Sequence, residues 1–131
     1  MTPGIDKEAE VLLLKSAEDE FAAQLPGMPE GPFGFHVQQA VEKLLKALLC
    51  QRSVKYKRTH DLEYLVTLLE DNGEKLPATP VPLSELNDFA VVYRYDMLLQ
   101  AAKPDMSNLL ETLRLIREHV VARIGALAST P

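Results

Sequence analysis

The fold is decided by residues 35–49, which read FHVQQAVEKLLKALL. Apolar side chains recur in this stretch at spacings of mostly three and four, while the polar side chains between them form the opposite face. The apolar set is Val37, Val41, Leu44, Leu45 and Leu48. Because no other segment is as apolar, the pattern predicts that a helix over about 35–53 lies at the centre of the molecule.

Clusters of glycine and proline divide the rest of the chain into segments that lack both residues. These segments are too long for ordinary strands and carry the helical spacing, so we expect helices throughout. In the first of them, Leu14, Ala17, Phe21 and Leu25 recur on one stripe. The outer helices are predicted at about 5–25, 60–72, 85–100 and 105–127.

Two side chains are the expected caps of these helices, and one segment is expected to lack a helix. The hydroxyl of Thr59 is predicted to cap the short third helix, and that of Ser84 the fourth. Three prolines within Glu74–Pro82 predict an extended crossing between them. The fold class is therefore all-α: an up-and-down antiparallel four-helix bundle with one additional short helix, five helices in total.

Composition limits the class of protein. With 131 residues and 14.6 kDa, residues 1–131 are expected to form a single domain. Apolar residues make up 47% and charged residues 25%, as in ordinary globular domains. The formal charge of −5 disfavours a protein that coats nucleic acid nonspecifically, although a local basic patch is compatible with it. We expect no DNA-specific binding.

The single cysteine and the three histidines do not have metal-ligand spacing. Cys50 lies in an apolar run and is expected to act as a small hydrophobe. We therefore expect no metal, and no cofactor, because the chain has no glycine-rich phosphate loop. The N-terminal residues lack the order of a signal peptide and no apolar run approaches a membrane span. The expectation is a cytoplasmic protein with no membrane partner.

Three blocks of the sequence together resemble a known family. They are residues 35–49, the THDL of residues 59–62, and the AVVYRY of residues 90–95. Their order and spacing are similar to those of the HEPN domain, the higher eukaryote and prokaryote nucleotide-binding family. The resemblance implies a helical bundle, commonly a homodimer, that sometimes works beside a small nucleotidyltransferase in a two-component system. Family members include metal-independent ribonucleases, nucleotide-binding modules and proteins without known activity.

The family's ribonuclease motif is an arginine followed after four to six residues by a histidine. Arg94 lies in the matching block, but no histidine follows it at that spacing. Arg114 and His119 match the spacing, yet five residues of helix separate two side chains by about 140° around the axis. Arg94, His60, Arg114 and His119 are the catalytic candidates. The missing histidine after Arg94 argues against family ribonuclease activity.

His60 lies next to the basic run RSVKYKR of residues 52–58. Cations near a helix N-terminus form a reasonable anion site, and Tyr56 could stack on a base. Candidates for binding nucleotide or phosphate are Lys55, Lys57, Arg58, His60 and, from the block that resembles the family, Tyr95. In the alternative interpretation the basic run is a solvated loop. For His36 a structural role is favoured, and Glu42 with Lys43 could be ordinary surface charge.

Three functions follow from these observations. The leading hypothesis is a dimeric, toxin–antitoxin-like binding or regulatory module without robust catalysis, which pairs with a minimal nucleotidyltransferase and binds nucleotide or RNA. The second is a ribonuclease whose site is assembled across a dimer from Arg94, Tyr95, Arg58 and His60. The third is a nucleotide sensor that holds phosphate without reaction. All three expect the segments around residues 36, 60 and 94 to share one polar neighbourhood.

Overall fold

The computed structural model describes residues 4–92 and 105–129 of the chain, with side chains for 4–89 and 105–129. Within these residues all regular structure is helical, which confirms the predicted five-helix, all-α fold. The helices are α1 (Lys7–Ala23), α2 (Glu30–Gln51), α3 (Leu62–Asp71), α4 (Leu83–Val92) and α5 (Met106–Ser129). None of them is long and apolar enough to cross a membrane.

Helix α2 is the centre of the molecule, as its sequence predicts. It packs against all four other helices, and Leu45, Leu48 and Leu49 are fully buried on it. Helix α5 adds a second buried row that includes Leu113 and Ile116. Burial of each of these aliphatic side chains stabilises the fold by about 1.5–3 kcal/mol relative to leaving the side chain exposed. The polar residues of α2 are consequently held in fixed positions.

The N-terminus of α2 lies earlier than the predicted start at residue 35. Helix α2 begins at Glu30, because Pro32 lies in the first turn, where its missing N–H needs no partner. Gly34 continues the helix and lets α4 approach closely. A Cβ atom at Gly34 would lie 2.1 Å from Cδ1 of Phe89, so a larger residue cannot fit there without a shift.

Both predicted caps are wrong in detail. Asp61, not Thr59, caps α3: its carboxylate accepts a hydrogen bond of 3.0 Å from the backbone N–H of Glu63. The Thr59 hydroxyl instead accepts from the N–H of Asp61 and orients that cap. Ser84 lies inside the first turn of α4, which begins one residue earlier. In each case the chain enters the helix a residue or two from the predicted position.

The segment between α3 and α4 has no helix, as its prolines predict, and its two ends are fixed by polar contacts. Glu74 is buried and accepts hydrogen bonds from Arg52 at 2.5 Å and from Arg123 at 2.9 and 3.0 Å. The N–H of Val81 donates to the hydroxyl of Thr112 on α5 at 3.1 Å. The segment therefore ties α2, α3 and α5 together.

Helix α1 places its small residues against the core. Ala9, Ser16 and Ala23 are its buried residues, and the Ser16 hydroxyl donates to the carbonyl of Ala40 on α2 at 2.9 Å. The stripe of larger apolar residues marked by the sequence faces outward, with Leu14 and Phe21 exposed. Small inward residues allow a close approach of α1 to α2, and the partly buried Leu12 and Leu13 pack against the core beside them.

Candidate functional site

His60 carries an imidazole ring that is held at one nitrogen and open at the other. Its Nδ1 lies 2.9 Å from Oε1 of Glu42 on α2. Since a carboxylate only accepts, Nδ1 donates and Nε2 is left as the free nitrogen. The His60 side chain is 72% exposed, whereas that of Glu42 is 4% exposed. A buried carboxylate therefore orients an accessible ring.

Glu42 is the centre of a polar network on α2. Its second oxygen accepts from Nζ of Lys46 at 3.0 Å, one turn further along the helix. Gln38 is fully buried and donates to the backbone carbonyl of His60 and to Glu42, both at 3.3 Å. Gln39 donates to Gln38 at 2.7 Å. Both the ring and the backbone of His60 are thus fixed to α2.

Three cations of the basic run lie at the surface on the same loop as His60, whereas the fourth, Arg52, binds the buried Glu74. Lys55 and Arg58 are exposed and make no ion pair with the described residues. Lys57 has its ammonium 4.7 Å from the ring centroid of Tyr64, and its backbone N–H donates to the Tyr64 hydroxyl at 3.1 Å. That hydroxyl fixes the loop on α3. Three cations consequently lie within five residues of an oriented imidazole.

Tyr56 is turned toward the core rather than toward the surface of the loop. It packs against the core cluster, its hydroxyl lies 3.7 Å from Sγ of Cys50, and Lys46 lies 5.7 Å from its ring centroid. Burial and the neighbouring Cys50 raise the pKa of the Tyr56 hydroxyl well above its usual value. The expected base-stacking role of Tyr56 is therefore not favoured by its position.

The N-terminus of α3 is occupied by side chains of the protein itself. Asp61 accepts from the N–H of Glu63, and Oδ1 of Asn87 accepts from the N–H of Leu62 at 2.8 Å. Asn87 in turn donates to Asp61 at 3.0 Å. An anion at this loop would therefore be recognised by the side chains of the cations and His60, and not by the free amides of the helix end.

The HEPN domain family model matches residues 30–124. This range takes in α2, α3, α4 and most of α5, and it leaves out α1. The chain belongs to the HEPN family. The comparisons with curated proteins and with solved structures found no match. In this HEPN domain the THDL block forms the loop that presents His60 and the cap of α3, and the residue 35–49 block supplies Glu42.

His36 of the HEPN domain, for which the sequence favours a structural role, is also held by a carboxylate. Nδ1 of His36 lies 3.0 Å from Oδ1 of Asp19 on α1, and Lys43 donates to the other oxygen. His36 is 28% exposed, and the two interactions tie α1 to α2. Positions 36 and 42 are about 120° apart around α2, so the two histidines bind separate carboxylates on different sides of the helix.

The two residues of the arginine–histidine pair on α5 of the HEPN domain have different surroundings. Arg114 on α5 donates to Glu111 at 2.5 and 2.7 Å and to Glu118 at 2.8 Å. These hydrogen bonds and the two negative charges raise the pKa of its guanidinium. His119 is half-buried with Nε2 unpaired, one and a half turns away on the same helix. Arg94 and Tyr95 lie outside the described residues.

One group of possible metal ligands occurs in the described part of the chain, at the start of α1. A carboxylate oxygen of Asp6, one of Glu8 and Sγ of Cys50 lie within 4.8 Å of one another. Asp6 already caps α1, and Cys50 lies 3.7 Å from Glu8. Burial, with the nearby acids, raises the pKa of the Cys50 thiol despite the hydrogen bond from Tyr56. A protonated thiol is a poor metal ligand.

Glu42 is the functional residue that sequence reasoning missed, because the pattern placed it on the outer face of α2. It is buried there by the loop of residues 59–61, which crosses over it. The available signal was the run Gln38, Glu42 and Lys46 at spacings of four, which lines one side of a helix. Nothing in the sequence links this run to a histidine eighteen residues later.

Proposed function

We propose that this HEPN domain binds the phosphates of a nucleotide or of single-stranded RNA at His60. The observation that carries the proposal is the imidazole held by buried Glu42, with its second nitrogen open, on the same loop as the exposed Lys55, Lys57 and Arg58. Family membership supports a nucleotide-related or RNA-related role. The proposed binding residues are Lys55, Lys57, Arg58 and His60.

The chemistry of these side chains suits phosphate oxygens. Arg58 supplies a planar donor set for two oxygens, while Lys55 and Lys57 act as point charges. Lys57 is held near its position by Tyr64, which lowers the conformational entropy lost on binding. His60 presents its Nε2 atom toward solvent, because its Nδ1 is held by Glu42. Tyr95 remains part of the proposal through the family block alone.

Calorimetric titration tests this proposal. AMP, ATP and a short single-stranded RNA are titrated into the wild type and into the variants Lys57→Ala and Arg58→Ala. We expect each variant to lower the affinity for nucleotide and RNA by about fivefold. The dependence of RNA affinity on salt concentration should also weaken by the amount expected for about one lost phosphate contact. Lys75→Ala, at an exposed lysine on a different segment, is the matched control. Equal heats in the wild type and both loop variants would remove the loop from the account.

A second candidate is a metal-independent ribonuclease with a site formed across a dimer from Arg94, Tyr95, Arg58 and His60. The His60–Glu42 arrangement favours it, because a carboxylate on Nδ1 fixes the tautomer in which Nε2 can take a proton. The test is cleavage of RNA in EDTA. If the protein is a ribonuclease, His60→Gln lowers the rate by about 100-fold or more, while His36→Gln leaves it within about twofold. No cleavage by the wild type contradicts this candidate.

The proposed partners rest on family membership alone. We propose a cytoplasmic homodimer that works as the regulatory or toxin–antitoxin-like partner of a minimal nucleotidyltransferase. Co-expression with a nucleotidyltransferase encoded by a neighbouring gene, followed by size-exclusion chromatography, tests the pairing. Co-elution at a fixed stoichiometry supports it. Separate elution at micromolar concentrations contradicts it.

A further inference from the structure

The outward face of α1 has the residue spacing of a coiled-coil seam. Six positions follow one another at steps of four, three, four, three and four residues, which is the a and d repeat of a heptad pattern. We call these positions the outer seam. Lys7, Val11, Leu14, Glu18 and Phe21 lie on α1, and Leu25 lies two residues after the end of the helix at Ala23. A helix that packs only against its own chain has no need of a second apolar row on the opposite face.

The side chains of the outer seam are large and exposed. Phe21 is 71% exposed, Leu14 is 64%, Val11 is 48% and Leu25 is 44%. The face of α1 that contacts α2 carries the buried small residues Ala9, Ser16 and Ala23 and the partly buried Leu12 and Leu13. Val11, Leu14 and Phe21 form a separate row that points away from the core. Such a row of exposed apolar side chains marks a protein–protein contact.

We infer that the outer seam binds the outer seam of a second copy of this chain, with the two α1 helices antiparallel about a two-fold axis at the level of Ser16. In this register Val11 faces Phe21 of the second copy, and Leu14 faces its Glu18. By symmetry each contact occurs twice. The seam gives a surface to the homodimer proposed above, and it does not involve His60 or its loop.

The charges on α1 select the second copy and its orientation. Glu18 interrupts the apolar row, and Lys15 lies three residues before it on the rim. Neither forms an ion pair with the described residues. In the antiparallel register, Glu18 of each copy lies beside Lys15 of the other, which gives two ion pairs at the middle of the seam. A parallel pair would instead place Glu18 against Glu18 at the same level, which is repulsive.

The seam lies outside the part of the chain that the family model matches. That match begins at residue 30, whereas α1 ends at Ala23 and the seam at Leu25. The surface is thus formed by residues that the family model does not match.

Sedimentation velocity over a range of protein concentrations tests the inference. We expect the wild type to form a dimer, and Leu14→Glu to raise its dissociation constant by about tenfold or more, since a charge replaces a central apolar contact. Val121→Glu is the matched control, because Val121 is a 51% exposed apolar residue on α5, off the seam. A wild type that stays monomeric up to about 100 μM would overturn the inference, and so would equal effects of both variants.

A charge swap distinguishes the antiparallel register from every other arrangement. Lys15→Glu and Glu18→Lys each replace two attractions by two repulsions and are expected to weaken the dimer by about tenfold. The double variant Lys15→Glu/Glu18→Lys restores opposite charges across the axis and is expected to return to wild-type affinity. A double variant that is no tighter than either single variant contradicts the register. RNA titration of the same variants separates this result from the function of His60.

Discussion

Two buried carboxylates, Glu42 on α2 and Glu74 after α3, differ in the side chains that bind them. Glu42 is 4% exposed and receives one lysine and the imidazole of His60, which is itself mostly exposed. Glu74 is 2% exposed and receives two arginines, Arg52 from the end of α2 and Arg123 from α5. Two carboxylates of similar burial therefore have partners of different chemistry.

The partners indicate that Glu74 stabilises the fold, whereas Glu42 orients a residue of the proposed binding site. We call Glu74 with Arg52 and Arg123 the clamp. The guanidinium groups on Glu74 are permanently charged and cannot exchange a proton near neutral pH. The imidazole of His60 on Glu42 instead has an outer nitrogen that is accessible. The comparison teaches that two carboxylates of similar burial can hold partners of different chemistry, two permanently charged guanidinium groups or a mostly exposed imidazole. Substitutions at the two positions should consequently affect different properties.

The largest effect is expected at the clamp. Glu74→Ala removes the acceptor of two arginines and leaves both without their partner, so the free energy of unfolding should fall by about 3 kcal/mol. Urea unfolding at pH 7, followed by circular dichroism, measures it. RNA affinity of the folded variant should stay within about twofold of the wild type. A variant as stable as the wild type would show that Glu74 is not a clamp.

Acid should weaken the clamp before it unfolds the rest of the protein. Burial alone would raise the pKa of Glu74, but hydrogen bonds from Arg123 and Arg52, with their charges, outweigh it and lower the pKa. A lowered folded-state pKa adds stability that is present above the unfolded value of about 4.5 and is lost as the pH falls through the folded value. The stability gap between wild type and Glu74→Gln should therefore narrow as the pH falls from 4.5 through the folded-state pKa. A gap that is constant from pH 7 to pH 3 contradicts this.

Glu42→Gln should cost less stability and more function. The amide keeps the shape but loses the charge that attracts Lys46 and His60, so we expect about 1 kcal/mol less stability. Because the ring is then less firmly held, affinity for single-stranded RNA should fall about threefold. Urea unfolding and calorimetry on one preparation measure both. If the variant lost stability but kept its affinity for RNA, Glu42 would be a structural residue like Glu74.

The smallest effect is expected at Lys46. Its ion pair with Glu42 spans one helical turn at a partly exposed position, so Lys46→Met should lower stability by about 0.5 kcal/mol. The methionine keeps apolar contact with the ring of Tyr56. Thermal unfolding resolves a change of this size. A loss as large as that of Glu42→Gln would show that the network depends on the lysine more than on His60.

The sequence predicted the helices well because their signals are local. The apolar spacing of residues 35–49 identified the buried face of α2, and Gly73, with a φ of +88°, ended α3 where expected. The errors are local too. The sequence pattern places the start of α2 too late, because Pro32 looks like an interruption of the helix. It does not identify the cap of α3, because Thr59 and Asp61 both have capping side chains.

The sequence predicts only one half of the candidate site, because only that half consists of residues that are close together in the chain. His60 and the cations are neighbours in the chain and were visible in the sequence. Glu42 and Gln38 reach them through tertiary packing of the loop on α2, which no spacing rule encodes. The same reason explains why the outward direction of Leu14 and Phe21 was not foreseen, since periodicity marks a stripe but not the side of the molecule it faces.

The most direct test of the His60 site is NMR of the histidine ring nitrogens during titration with single-stranded RNA. The protein has three histidines, and the structure gives each a different surrounding. The account predicts that the Nε2 signal of His60 shifts with RNA in wild type and much less in Arg58→Ala, while the signals of His36 and His119 remain in place. A His60 signal that does not respond to saturating RNA, or one that moves together with the other two, would contradict the account.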